Sequence, residues 1–136
     1  MDSKTKYTEQ TRSSSDQLSN RLRMVELFSN TEIPDDELLT NLGLFMRSGC
    51  LAKILYLNEL YQLIEDVPGV ICEFGIWWGQ SLAVFENLRA IYEPYNYNRK
   101  IIGFDTFSGY ASVTDKDVKT DTIKPGGYSS LFRLAS

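Results

Sequence analysis

Gly69-Val70-Ile71-Cys72-Glu73-Phe74-Gly75-Ile76-Trp77-Trp78-Gly79-Gln80-Ser81 is the stretch that decides the fold. An apolar run, Val70 to Cys72, ends on the acid Glu73, and the chain then turns through Gly75 and Gly79. Pro68-Gly69 places a turn just ahead of the run. From Gln80 the pattern takes helical spacing, with Leu82, Phe85, Leu88, Arg89 and Tyr92 on one broad face. A buried parallel strand, a glycine turn and a helix form the layout of a nucleotide-type crevice.

A second strand extends the pattern. Lys100-Ile101-Ile102-Gly103-Phe104 reads as a short buried strand ending on Asp105. A carboxylate at the end of the second strand of a βαβ unit can accept from both hydroxyls of a ribose. Its distance from Glu73 exceeds the roughly 20 residues usual for such a pair. The excess is absorbed if Glu93 to Arg99 forms a loop, with Pro94 stopping the helix before it. Glu73 repels a pyrophosphate yet accepts hydrogen bonds from an ammonium or a ribose. These residues therefore favour S-adenosylmethionine over a nicotinamide dinucleotide, which also lacks its third glycine here.

Val70 to Ser81, together with Ile102 to Gly109, resemble the first two motifs of the macrocin O-methyltransferase-like (TylF/MycF-type) group. Those enzymes are class I S-adenosylmethionine-dependent methyltransferases. Glu73, Gly75, Trp77, Gly79 and Ser81 match the first motif, and Asp105, Thr106, Phe107 and Gly109 match the second. Trp78 stands where arginine is common, Gln80 where a second glycine is common, and Ser108 where glutamate is common. The resemblance implies an α/β, Rossmann-like methyltransferase fold that is incomplete, with amino-terminal helices. It implies cofactor binding by Glu73, Gly75, Trp77, Gly79, Ser81, Asp105 and Thr106, with Tyr110 near the adenine or the acceptor. The expected reaction is O-methylation of a small hydroxylated molecule such as a sugar or natural product. The family's metal-binding acids and base lie beyond the second motif, so no catalytic residue or metal ligand is assigned. Magnesium is expected only in full-length relatives.

Upstream of the strand the pattern is helical. Leu18, Leu22, Val25 and Phe28 recur at helical spacing, and Thr31 to Asp36 reads as a turn with acids opening the next helix. Leu38 to Ile64 is largely apolar, with breaks at Gly43 and at Ser48-Gly49. Its second half, from Leu51 through Leu57 and Tyr61 to Ile64, is read as structural core. The expected organisation is a disordered tail over 1–15, a helical segment over 16–67, and the first part of a Rossmann-like cofactor-binding domain over 68–136. The resemblance adds dimer contacts and substrate-side cover to the helical segment, hence a homo-oligomer.

Composition narrows the class. With 136 residues the chain is long enough for one domain with a core, yet only two strands are evident. It is therefore read as the amino-terminal part of a longer enzyme, and Tyr128 to Ser136 offers no closing strand. Net charge of −4 and the lack of a basic run with aromatics argue against nucleic acid. No apolar run reaches the roughly 20 residues that span a membrane, and the start shows no signal peptide. Cys50 and Cys72 sit in apolar patterns and are read as packed rather than paired, which points to the cytoplasm. Histidine is absent, so histidine-based triads and zinc sites are excluded within these residues. Asp115 and Asp117 are too sparse a pair for a metal site. Two readings from other classes remain: a non-catalytic cofactor-binding or interaction fragment, and a relative carrying a carnitine CoA-transferase label.

Overall fold

The structure, a computed structural model, describes residues 13–110, 112–114 and 125–127. Most of the expected tail, the acids Asp115, Asp117 and Asp121, and the stretch Tyr128 to Ser136 lie outside the described residues. The chain divides into two compact units, Met1–Leu51 and Ala52–Ser136.

The first unit is helical. Helix α1 spans Ser15–Ser29 and opens with a capping box. Ser14 Oγ accepts from the Gln17 N–H at 3.3 Å, and Gln17 Oε1 accepts from the Ser14 N–H at 3.0 Å. Two otherwise orphaned donors are thereby satisfied, and such a cap is worth about 1 kcal/mol. The apolar stripe of Leu18, Leu22, Val25 and Phe28 falls on α1, but no residue of this helix is buried. Pro34 precedes α2, Asp35–Thr40, whose first turn holds Asp35, Asp36 and Glu37. Three carboxylates there complement the helix dipole. A short 3-10 turn, Leu42–Phe45, encloses Gly43, and Phe45 meets Phe28 edge-on at 5.1 Å. Ser48-Gly49 opens α3, Ser48–Ile64, rather than interrupting it.

The second unit holds one βαβ unit. Strand β1 is Ile71–Phe74, α4 is Gln80–Tyr92 and β2 is Ile101–Phe104. The strands pair in parallel, Ile71 with Ile101 and Phe74 with Phe104. Helix α4 ends at Tyr92, with Glu93 as its cap just before Pro94, as the sequence implies. Its Leu82, Phe85, Leu88, Arg89 and Tyr92 are all buried or half-buried. Gly103 lets α4 approach: a Cβ there would stand 2.5 Å from Leu82 Cδ1 and 2.8 Å from Ile76 Cγ2.

Burial of the strands differs from the sequence reading. Both were expected to be buried, yet Cys72, Phe74, Ile102 and Phe104 are exposed. Strand side chains alternate between faces, and α4 packs on the Gly103 side. The opposite side carries Phe74 and Phe104, stacked at 4.9 Å, with Phe74 78% exposed. Cys72 shares that side, so it is exposed rather than packed; both cysteines are unpaired thiols. The core is correspondingly small. Among the described residues its buried apolar members are Leu57, Tyr61 and Leu88. Leu55 and Leu63 of the expected α3 core stand in the open, because α3 buries only a narrow stripe.

Polar chemistry reinforces this small core at the entry end of the strands. Arg99 donates from Nε to Glu93 Oε2 at 2.8 Å and from Nη2 to Glu93 Oε1 at 3.2 Å. The same guanidinium donates to the carbonyls of Ile64 at 2.9 Å and Gly69 at 3.2 Å. Tyr61, fully buried, donates to Glu93 Oε2 at 2.5 Å. One fork thus ties the end of α3, the approach to β1 and the approach to β2. Arg99, foremost, holds the Glu93 carboxyl down to about 2. Burial, reinforced by the adjacent carboxylate, pushes the Tyr61 hydroxyl up to about 12.

Candidate functional site

A cleft of about 630 Å³ opens at the carboxyl ends of β1 and β2. Parallel α/β sheets bind ligands at this end, where loops leave the strands and helix N-termini point outward. Phe74, Gly75 and Trp77 supply the wall that follows β1. Phe104, Asp105 and Thr106 supply the wall that follows β2, and Gly109, Tyr110 and Gly127 close one side. The lining is aromatic with a single carboxylate, a combination suited to a flat ring joined to a hydroxylated group.

The turn after β1 is built on left-handed backbone. Gly75 has φ +83° and Gly79 has φ +76°, values that glycine adopts without a Cβ penalty. Gly75 N–H donates to the Phe104 carbonyl at 2.8 Å, extending the parallel pairing by one step. Gly79 N–H closes the turn on the Ile76 carbonyl at 2.8 Å, and Gly79 then caps α4 without a side-chain bond. Trp77 between them also has positive φ, +50°. Its ring lies 5.8 Å from that of Trp78, which is outside the cleft lining.

Asp105 joins the two walls. Its Oδ2 accepts from the Trp77 N–H at 2.8 Å and its Oδ1 from the Phe107 N–H at 2.7 Å. These backbone donors, Phe107 first and Trp77 next, hold the carboxyl below the usual carboxylate range. The Ile76 and Thr106 N–H groups lower it further, so the carboxylate sits among neutral backbone donors and keeps its negative charge. Thr106 Oγ1 donates to the Gly109 carbonyl at 3.0 Å. Tyr110 is fixed by its neighbours: its N–H donates to the Gly127 carbonyl at 3.1 Å, and its carbonyl accepts from the Gly126 N–H at 2.9 Å.

Of the residues singled out in the sequence, Gly75, Trp77, Asp105 and Thr106 come together in the cleft. Glu73, Gly79 and Ser81 do not line it. Glu73 pairs in register with Gly103 and shares its face, whereas Phe74 faces the cleft. Glu73 Oε2 is a buried side-chain oxygen without a hydrogen-bond partner among the described residues. Ser81 is buried in the first turn of α4. Phe74 and Phe104 were not singled out as site residues. The signal was available: in a period-two strand each is the last residue before its glycine or acid, on the face opposite Glu73.

Among the described residues no three His, Cys, Asp or Glu side chains cluster to hold a metal ion. None of the described helices is long and apolar enough to cross a membrane.

No protein-family model matches the sequence, and no curated protein matches it. Solved structures do. The chain is similar to the crystal structure of CalS11, a calicheamicin methyltransferase, at 40% identity and a TM-score of 0.82 over 88% of this chain. It is also similar to the apo structure of CalS11 described as TDP-rhamnose 3'-O-methyltransferase, an enzyme in calicheamicin biosynthesis. That match has 43% identity and a TM-score of 0.69 over 72% of this chain. The chain spans 46% and 42% of those two chains, a little under half of their length. At such identity the likeness extends from the fold to the residues, and the fold is that of part of a methyltransferase.

Proposed function

We propose that this chain forms the cofactor-binding part of an S-adenosylmethionine-dependent O-methyltransferase of the TylF/MycF type. The acceptor we propose is a hydroxyl of a sugar, free or nucleotide-linked, within a natural-product pathway. The observation that carries the reading is Asp105 at the exit of β2, inside an aromatic cleft, in a chain similar to a sugar O-methyltransferase.

The donor set suits the cofactor. Asp105 presents a carboxylate to the ribose hydroxyls from the cleft lining, and Phe74, Trp77, Phe104 and Tyr110 offer π-faces to an adenine. Glu73 lies outside the cleft lining with its orphaned Oε2 buried, and its role toward the cationic amino group is carried over from the resemblance. The N-terminus of α4, without a side-chain cap, presents free N–H groups to a carboxylate. Gly75, Gly79 and Thr106 shape the backbone around these groups, and Ser81 is buried in the first turn of α4. When bound, the cofactor supplies an activated methyl group to an acceptor held in line. The remaining tasks, orienting the hydroxyl and removing its proton, belong to residues outside this assignment. Magnesium assistance and a homo-oligomer are part of the proposal, carried over from the resemblance, and a cytoplasmic setting is proposed from the cysteine usage. The small-molecule partner is the acceptor itself.

Calorimetric titration with S-adenosylhomocysteine and, separately, NADH tests the cofactor. Heat with S-adenosylhomocysteine alone is the expected result, and heat with NADH alone refutes the reading. A methyl-transfer assay over nucleotide-linked sugars and simple phenols, with and without magnesium, then tests the acceptor class.

A further inference from the structure

Among the described residues, two that are not glycine have positive φ: Trp77 at +50° and Phe107 at +56°. Bulky aromatic residues are disfavoured there, because Cβ crowds the following carbonyl oxygen. Such outliers persist only where the surroundings over-determine them. Here both share one hydrogen-bond partner. Each donates its backbone N–H to the Asp105 carboxylate, Trp77 to Oδ2 at 2.8 Å and Phe107 to Oδ1 at 2.7 Å. One side chain therefore bridges the turn that follows β1 and the turn that follows β2.

We propose that Asp105 is a positioning residue whose carboxylate clamps both turns and sets the Trp77 wall of the cleft before any ligand arrives. Binding through free ribose hydroxyls is then a second use of the same group. This deepens the cofactor reading and rests on it for the identity of the ligand, although the clamp itself belongs to the ligand-free chain. The backbone donors that lower the Asp105 carboxyl keep it ionised, which is the state the clamp needs. The sequence holds two tryptophans, Trp77 and Trp78, both in the clamped turn, so tryptophan spectroscopy reports on this site alone.

The test compares the wild-type chain with Asp105→Ala and Asp105→Asn, first without ligand. Asn keeps one acceptor oxygen but sets an NH₂ against the other N–H, so it retains half the clamp. The expected result is a shifted tryptophan emission and a diminished near-ultraviolet circular dichroism in both variants, smaller for Asn, at unchanged helical signal. Binding is then measured for S-adenosylhomocysteine and for an analogue lacking both ribose hydroxyls. A clamp predicts that Asp105→Ala weakens the analogue as well, by about tenfold, the equivalent of one lost charge-assisted hydrogen bond. Unchanged tryptophan spectra in both variants, or an affinity loss confined to the hydroxylated ligand, overturns the proposal. If the wild-type chain binds neither ligand, the cofactor reading fails and the ligand-free spectra alone judge the clamp. Should Asp105→Ala lose its helical signal, Asp105→Asn decides on the same readouts.

Discussion

Replacing Arg99 by methionine is expected to remove most of the stability of the second unit. Arg99 and Glu93 are buried, at 4% and 9% exposure, and the guanidinium spends its donors on Glu93 and on the carbonyls of Ile64 and Gly69. Stripping a buried ion pair of one partner costs about 3–5 kcal/mol, because the other charge stays in a low-dielectric site. Proton linkage gives a similar figure by another route. The Glu93 carboxyl falls from 4.5 to about 2 on folding, and at about 1.4 kcal/mol per pH unit this is worth about 3 kcal/mol at neutral pH. Orphaned carbonyls add about 1–3 kcal/mol each where water cannot reach them. Against a total stability of about 5–15 kcal/mol, and with three buried apolar side chains among the described residues, Arg99→Met should be largely unfolded at pH 7. Glu93→Gln combined with Arg99→Met removes both charges and should recover part of the loss. Urea titrations followed by far-ultraviolet circular dichroism measure all three proteins. An Arg99→Met midpoint close to wild type, or a double variant no more stable than the single one, would refute the reasoning.

The same cluster sets two pH limits. The folded Glu93 carboxyl lies below its unfolded value, so its stabilisation is complete above pH 4.5 and is lost as pH falls towards 2; acid unfolding of the wild type should begin in that window. The Tyr61 hydroxyl is raised from 10.0 to about 12, so its stabilisation is present below pH 10 and lost between 10 and 12. Tyrosinate absorbance should show a late component that vanishes in Tyr61→Phe. Gly103→Ala places a Cβ 2.5 Å from Leu82 Cδ1 and should destabilise by about 1–3 kcal/mol in the urea titration, through forced separation of α4 from β2. Gly79→Ala meets no neighbour within 4 Å and should lose about 1–2 kcal/mol, purely from its φ of +76°. An unchanged urea midpoint in Gly103→Ala would show that crowding contributes nothing there.

Legibility tracked the range of the interactions concerned. The helix from Gln80 to Tyr92, its stop before Pro94 and the strand ending on Asp105 are encoded by local spacing and by the backbone limits of proline, and each appears where the sequence places it. Strand burial was not legible, because it depends on what packs on each face: Gly103 admits α4 on one side, and the Phe74–Phe104 face stays open. Cys72 was misread for the same reason. The Tyr61–Glu93–Arg99 cluster was missed because its members are 32 and 6 residues apart, and polar letters in an Asn- and Tyr-rich loop read as solvated. Within the cleft the acid was legible but its partners were not. Nothing local to Trp77 announces its positive φ, because the carboxylate that takes its N–H is 28 residues away, whereas at Phe107 the acid two residues before it was a local cue that went unread.

Glu93 and Asp105 show why one carboxylate is structural and another available for binding. Both have lowered pKa values and both bridge segments that flank the strands, Glu93 at the entry end and Asp105 at the exit. Their partners differ. Glu93 faces a guanidinium, a phenol and the Asn96 amide in a buried site, so its charge is cancelled and its lone pairs are taken. Asp105 is held at a half-exposed edge by neutral N–H groups, which orient its charge without cancelling it. A carboxylate held in this way keeps its net charge, and its geometry is fixed before a ligand arrives. Adding a cation beside Asp105 should therefore convert it to the Glu93 condition. Thr106→Lys is expected to weaken binding of a ribose-bearing ligand, with a stability loss limited to the exposed Thr106–Gly109 hydrogen bond, about 1 kcal/mol. Calorimetry and urea titration on the same variant separate the two effects, and an affinity equal to wild type would show that the free charge of Asp105 plays no part.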